Sequence, residues 1–201
     1  MKYLIALLLL GTAALLVAVV AKPATSTAEA PLSKYFGSRE WYGDVLALEE
    51  FDRAVPIASR SAALVAVWAY PDGGRKRGVD VRLGVLHYLA LAPPRVPWDQ
   101  KLTSLLIEAG HSGNKDILHA ALSVAHERRL SLLDAEFVAA LDDSSETFQG
   151  IALMEITQWP DREKHLKAYI ARHSKDAEHS RSIRDAQVLL EHGRANPEPR
   201  K

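Results

Sequence analysis

The 201-residue chain contains no cysteine. Disulfides, thiolate catalysis, cysteine-held zinc and lipid attachment through a thiol are therefore excluded, and a folded domain must be held by its core alone. Neither sign of charge is in excess. Twenty-five Lys and Arg balance 25 Asp and Glu, so the strongly basic face that nucleic acid requires has no source here. Strand signals are equally scarce. No stretch alternates apolar and polar residues over several positions, and no Asn-Gly hairpin turn occurs. Phosphate loops of the Walker type are missing.

What is present first is grease. After Met1 and Lys2, residues 3–21 carry no charge, and Lys22 and Pro23 close the run. As a helix these 19 residues would span about 28 Å, near the ~30 Å of a hydrocarbon core. A cleaved signal has a shorter apolar region, about 7–15 residues. Length thus favours a retained anchor, with a signal peptide cut after Ala21 or Ala30 as the alternative. Lys2 stays inside by the positive-inside rule. Either way the remaining chain is expected on the periplasmic or extracytoplasmic side. The segment 22–37 begins small, polar and proline-bounded, and is expected to be a flexible tether.

From residue 38 to 193 the pattern is that of one all-α domain, with a disordered tail expected at 194–201. About 180 residues follow the apolar run, enough to bury roughly 70% of the unfolded surface. Breakers at Pro56, 71–74, Pro93 and Pro94, 110–113, Pro160 and Gly193 divide the chain. Helices are predicted near 39–53, 57–70, 79–91, 99–109, 114–127, 132–141, 145–158, 161–173 and 177–192. Asp99 is placed to cap the helix after Pro97, and Ser131 with Asp134 forms a short-armed capping box. Gly110 and Gly193 stand where left-handed helix stops are expected.

A repeat runs through this pattern. Val81, Ile117, Phe148 and Ile183 align at gaps of 36, 31 and 35 residues. Positions four, five and eight further on are Val85, Leu86 and Leu89; Ala121, Leu122 and Ala125; Ala152, Leu153 and Ile156; then Gln187, Val188 and Glu191. The first three sets form an apolar stripe on one helix face. The fourth turns polar, as a terminal repeat without an outer neighbour must. The partner helices carry Leu102, Leu105 and Leu106; Phe137, Val138 and Leu141; and Leu166, Tyr169 and Ile170. Over about residues 79–192 the chain resembles the HEAT/armadillo class of α-solenoids, through Asp80-Val81-Arg82 opening a helix and Leu141-Asp142-Asp143 followed by Phe148 and Ala152. The Arg after the anchor position is kept at Arg82 and Arg184 and replaced by Leu118 and Gln149. The resemblance implies stacked antiparallel helix pairs with a concave binding surface, and no activity. An irregular helical bundle is the alternative.

Chemical signatures are thin. Ser112 lies in Gly110-His111-Ser112-Gly113-Asn114, where a nucleophile elbow would need glycine at 114 and a strand before it. His119 and His126 share a helix face, His87 occupies a comparable place one repeat earlier, and Glu127 is adjacent, so a zinc site would require the helices to stack in register. Asp142 and Asp143, adjacent in a loop, point apart and suit turn formation rather than acid–base pairing. His165, His173, His179 and His192 spread over two charged helices and are expected to be solvated. Arg75, Lys76 and Arg77 are expected in a mobile loop that offers a small basic contact. Trp98 and Trp159 stand at helix ends, where core packing is expected. Trp41 and Tyr42 are the best placed aromatic residues to rest at a membrane interface.

These observations favour a non-enzymatic, membrane-tethered binding or scaffold module. Its partner would be an envelope protein or peptide, with the bilayer met only through residues 3–21, no nucleic acid and no cofactor. The interaction surface would draw on Trp41, Tyr42, Arg75, Lys76, Arg77, His87, His119 and His126. The alternative is a helical hydrolase or metal-dependent enzyme of the cell envelope using His87, His119, His126 and Glu127.

Overall fold

A computed structural model describes residues 32–36, 45–69, 75–91 and 95–192. The apolar run 3–21, Trp41, Tyr42, Gly193 and the tail 194–201 lie outside them. Among the described residues every regular element is helical, and no helix is long and apolar enough to cross a membrane. The helices are α1 (Val45–Ala54), α2 (Ile57–Ala69), α3 (Arg75–Leu91), α4 (Gln100–Gly110), α5 (Lys115–Arg128), α6 (Asp134–Leu141), α7 (Glu146–Ile156), α8 (Arg162–His173) and α9 (Ser180–His192). Short 3-10 turns cover Leu32–Tyr35, Ser131–Leu133 and Ala177–His179.

The helices pack in consecutive pairs, α2 with α3, α4 with α5, α6 with α7 and α8 with α9. Helices α3, α5, α7 and α9 also touch in that order, so they form a continuous row. The apolar stripe explains the row. Val81, Val85, Leu86 and Leu89 are buried, as are Ile117, Ala121, Leu122 and Ala125, and Phe148, Ala152, Leu153 and Ile156. On α9 the corresponding face opens to solvent, with Val188 55% exposed and Gln187 and Glu191 exposed. Each fully buried Leu, Ile or Phe contributes about 1.5–3 kcal/mol.

Two features at the start of the domain differ from the sequence expectation. The tether was expected to reach residue 37, yet Tyr35 and Phe36 belong to the core. Phe36, Phe51 and Tyr88 meet edge-on at centroid distances of 5.1, 5.2 and 6.0 Å, a geometry aromatic quadrupoles favour. Gly84 makes this possible, because a Cβ there would collide with the Phe36 carbonyl oxygen. The basic loop is also shorter than expected. Arg75 to Gly78 form the first turn of α3, since Arg and Lys are good helix formers and one glycine costs only about 1 kcal/mol.

The left-handed stop expected at Gly110 is not there. Gly110 is the buried last residue of α4, and a Cβ on it would stand 2.6 Å from Leu133 Cδ2. Its smallness serves packing. The positive φ of this turn falls on Gly113, at 70°. Asp99 caps α4 as expected, its Oδ1 accepting from the Lys101 and Leu102 amides at 3.0 Å. Its Oδ2 accepts from Ser61 Oγ at 2.6 Å, which ties α2 to α4.

Candidate functional site

The three histidines singled out by spacing do not converge. His87 on α3 and His119 on α5 are electrostatic neighbours. Burial, and then the charge of His119, pushes His87 down from the ordinary imidazole range; burial lowers His119 against the opposing charge of Asp116. His119 packs its ring on Phe148, 5.3 Å between centroids. His126 lies two turns further along α5 and has a different partner. Its Nδ1 is 2.7 Å from Oε2 of Glu155, which is 2% exposed on α7. Oε1 of that carboxylate accepts from Trp159 Nε1 at 3.2 Å. The hydrogen bond to Glu155 raises the His126 pKa against the opposing effect of burial. A zinc site shared by His87, His119 and His126 is therefore not built.

His126 instead walls an open groove of about 530 Å³ across α5, α7 and α9. Gly150, Leu153, Met154 and Leu189 are among its lining residues, with Asp185 and His192 as polar ones. Met154 is 54% exposed there. Gly150 also borders a second recess of about 230 Å³, lined by Glu146, Arg181 and Ser182. A Cβ added at Gly150 would meet no atom within 4 Å. Packing does not demand a glycine here, and one inside a helix costs about 0.5–1 kcal/mol relative to alanine. What the missing side chain leaves is space between α7 and α9.

Two charged clusters went unread in the sequence. In the first, Arg60 is 6% exposed and its Nη1 lies 2.9 Å from Asp52 Oδ1. Arg60 also donates to the carbonyls of Val55, Arg95 and Asp52. Asp52 further accepts from the Tyr88 hydroxyl and from Arg95. Burial and the Asp52 carboxylate hold the Tyr88 phenol well above its usual range. This network joins α1, α2, α3 and the loop before α4.

The second lies at the α8–α9 corner. His173 and His179, expected apart and solvated, stack at 4.0 Å with 20° between their planes. His179 is 5% exposed. Asp176 Oδ2 is 3.0 Å from His179 Nδ1 and 3.5 Å from His173 Nδ1. His173 Nε2 reaches Asp142 Oδ1 at 2.8 Å, and Arg172 Nη2 lies 2.9 and 3.1 Å from the same carboxylate. Burial alone would raise the Asp142 pKa, but Arg172 and His173 outweigh it and hold it low. The neighbouring Asp143 takes the turn role expected of it, accepting from the Ser145 amide at 2.9 Å and from Lys115 Nζ at 2.8 Å. The only signal for this cluster was the spacing His173-x-x-Asp176-x-x-His179, which is too short a pattern to mark a site unaided.

The remaining expected contacts divide simply. Trp159 is buried, and Trp98 donates to Thr103 Oγ1 at 3.0 Å while the Arg128 guanidinium lies 5.5 Å from its ring. Arg75, Lys76 and Arg77 are placed as helix backbone only. No protein family, no curated protein and no solved structure matches this chain.

Proposed function

We propose that the chain is a non-enzymatic binding module, tethered to a membrane by residues 3–21 and facing the extracytoplasmic side. Its four helix pairs, α2–α3 to α8–α9, form a short α-solenoid of the HEAT/armadillo kind. The ligand is a segment of another envelope protein, extended or helical, that seats one or two large apolar side chains between Met154 and Leu189. The groove volume lies in the roughly 300–1,000 Å³ range of sites that enclose a compact ligand. Exposed methionine suits an adaptable protein-binding surface. The observation that carries this reading is Gly150, a helix glycine that packing does not require and that lines the open groove.

The test is site-specific photo-crosslinking of the full-length chain in its native membranes. A photoreactive residue at Met154 is expected to give a discrete protein adduct, and one at Ile57, 54% exposed on α2, is not. Gly150→Leu, which adds bulk at the groove wall, is expected to abolish the adduct at unchanged helical circular dichroism. Identical adducts from both positions, or an adduct indifferent to Gly150→Leu, refutes the groove as the site. Protease added outside intact cells is expected to digest the domain. Full protection refutes the proposed orientation.

A further inference from the structure

We propose that His173, Asp176 and His179 form a binding site for one divalent transition-metal ion of the zinc class. The inference does not depend on the groove or on the partner it would hold.

The ligand atoms lie close together before any ion arrives, and the two stacked rings must tilt apart to aim both Nδ1 atoms at it. One atom from each of the three residues lies within 4.8 Å of the other two. The Asp176 Oδ2 separations of 3.0 and 3.5 Å to the two Nδ1 atoms bracket the ligand–ligand edge of a tetrahedral site. With metal–ligand bonds of about 2.0–2.1 Å that edge is about 3.3 Å. Asp176 is already oriented, because its Oδ1 accepts from the Glu178 amide at 3.1 Å. Its Oδ2 is thereby presented to both imidazoles.

The buried histidine supplies an independent argument. Neither nitrogen of His179 has a hydrogen-bond partner. The 3.0 Å approach of Asp176 to Nδ1 lacks the alignment of a hydrogen bond. An orphaned polar group at 5% exposure is destabilising, and coordination of an ion through Nδ1 removes part of that penalty. His173 makes a matching case. Asp142 accepts from its Nε2, while Nδ1 makes only a long contact of 3.5 Å with Asp176 Oδ2. A metal ion that takes the place of a proton between Nδ1 and that carboxylate is bound to both. Asp142, fixed by Arg172, then has the place of the carboxylate that orients a metal-bound imidazole. Imidazole with a single carboxylate suits zinc, nickel or copper over magnesium or calcium. Asp176 is on the solvent side, with 41% of its side chain exposed, so water completes the coordination. The ion would pin the end of α8 to the start of α9.

The measurement is calorimetric titration of Zn²⁺ into the untagged full-length chain in detergent micelles, after chelator treatment. Co²⁺ serves as the spectroscopic probe. One Zn²⁺ per chain is expected, with Co²⁺ giving the intense visible bands of a four-coordinate site. Asp176→Asn keeps the turn cap and His173→Gln keeps the bulk; each is expected to weaken Zn²⁺ binding at least tenfold at unchanged helical circular dichroism. Asp142→Asn is expected to weaken it tenfold to a hundredfold, as loss of a ligand-orienting carboxylate does. His111→Gln, on an exposed histidine elsewhere, leaves it unchanged. A helical wild-type chain without saturable Zn²⁺ uptake overturns the proposal. So does uptake that survives Asp176→Asn and His173→Gln combined.

Discussion

Replacing Glu155 by Gln tests whether the His126–Glu155 contact is an ion pair rather than a neutral hydrogen bond. His126 is shifted upward chiefly by its hydrogen bond to Glu155, with help from the Glu155 and Glu127 charges and against burial and Arg129. A histidine whose folded pKa exceeds its unfolded value of about 6.5 binds its proton more tightly in the folded state. The stabilisation is therefore complete below about pH 6.5 and disappears as pH rises through the folded value. A charge-assisted hydrogen bond is worth about 1.5–3 kcal/mol and a neutral one about 0.5–1.5 kcal/mol. Gln still accepts from one partner, so Glu155→Gln is expected to cost about 1–2 kcal/mol at mildly acidic pH. For a domain of this size that is a fall in Tm of about 2–8 °C. At alkaline pH, where His126 is neutral, the deficit shrinks toward zero, because the variant no longer buries a carboxylate at 2% exposure. Thermal melts of wild type and variant across this pH range, followed by circular dichroism, decide the matter. A deficit constant with pH, or one that grows as pH rises, refutes the ion pair.

Two other substitutions probe the first helices. Gly84→Ala removes the space that seats the Phe36 backbone against α3 and is expected to destabilise by about 1–3 kcal/mol in urea titration, although alanine is the better helix former; a stabilised variant would show that 32–36 does not dock. Asp52→Ala leaves the Arg60 guanidinium, 8% exposed at its side chain, without its counter-ion and is expected to cost about 3–5 kcal/mol. A loss below about 1 kcal/mol would mean that the three carbonyls around Arg60 carry the site by themselves.

Helix positions were legible because the chain is punctuated. The strong breakers at Pro56, Gly113 and Pro160 lie between helices, and the buried stripe at Val81, Ile117 and Phe148 was visible as period alone. Boundaries failed where a residue's role depended on a distant neighbour. Gly110 looked like a helix stop, and only the position of Leu133, 23 residues on, shows that it is a packing glycine. Tyr35 and Phe36 looked like part of a tether because nothing local announces that Phe51 and Tyr88 receive them. The histidines fail for the same reason. His87 and His119 were chosen for their register, but what a histidine does is set by its partner, and Glu155 is 29 residues from His126. Asp142, which holds His173, is 31 residues away from it. Pairings at that separation require the stacking to be known first.

The location of the polar clusters follows from the same stacking. A helix inside the row, such as α5, buries one flank against α3 and the other against α7, so apolar contact is enough to fix it. Among the described residues the last helix pair has a neighbouring pair on one side only, and the first is covered on its outer side by α1 and the 3-10 turn at Leu32–Tyr35. At the first, Arg60, Asp52, Tyr88 and Arg95 lock α1, α2 and α3 together beneath the rings of Phe36 and Phe51. At the last, Asp142, Arg172, His173, Asp176 and His179 join the α6–α7 turn to α8 and α9. Apolar contact gives affinity between helices but little direction, whereas paired polar and charged groups tolerate few geometries. Fixing the ends by direction and the middle by area is a workable division in a chain that has no disulfide to close either end.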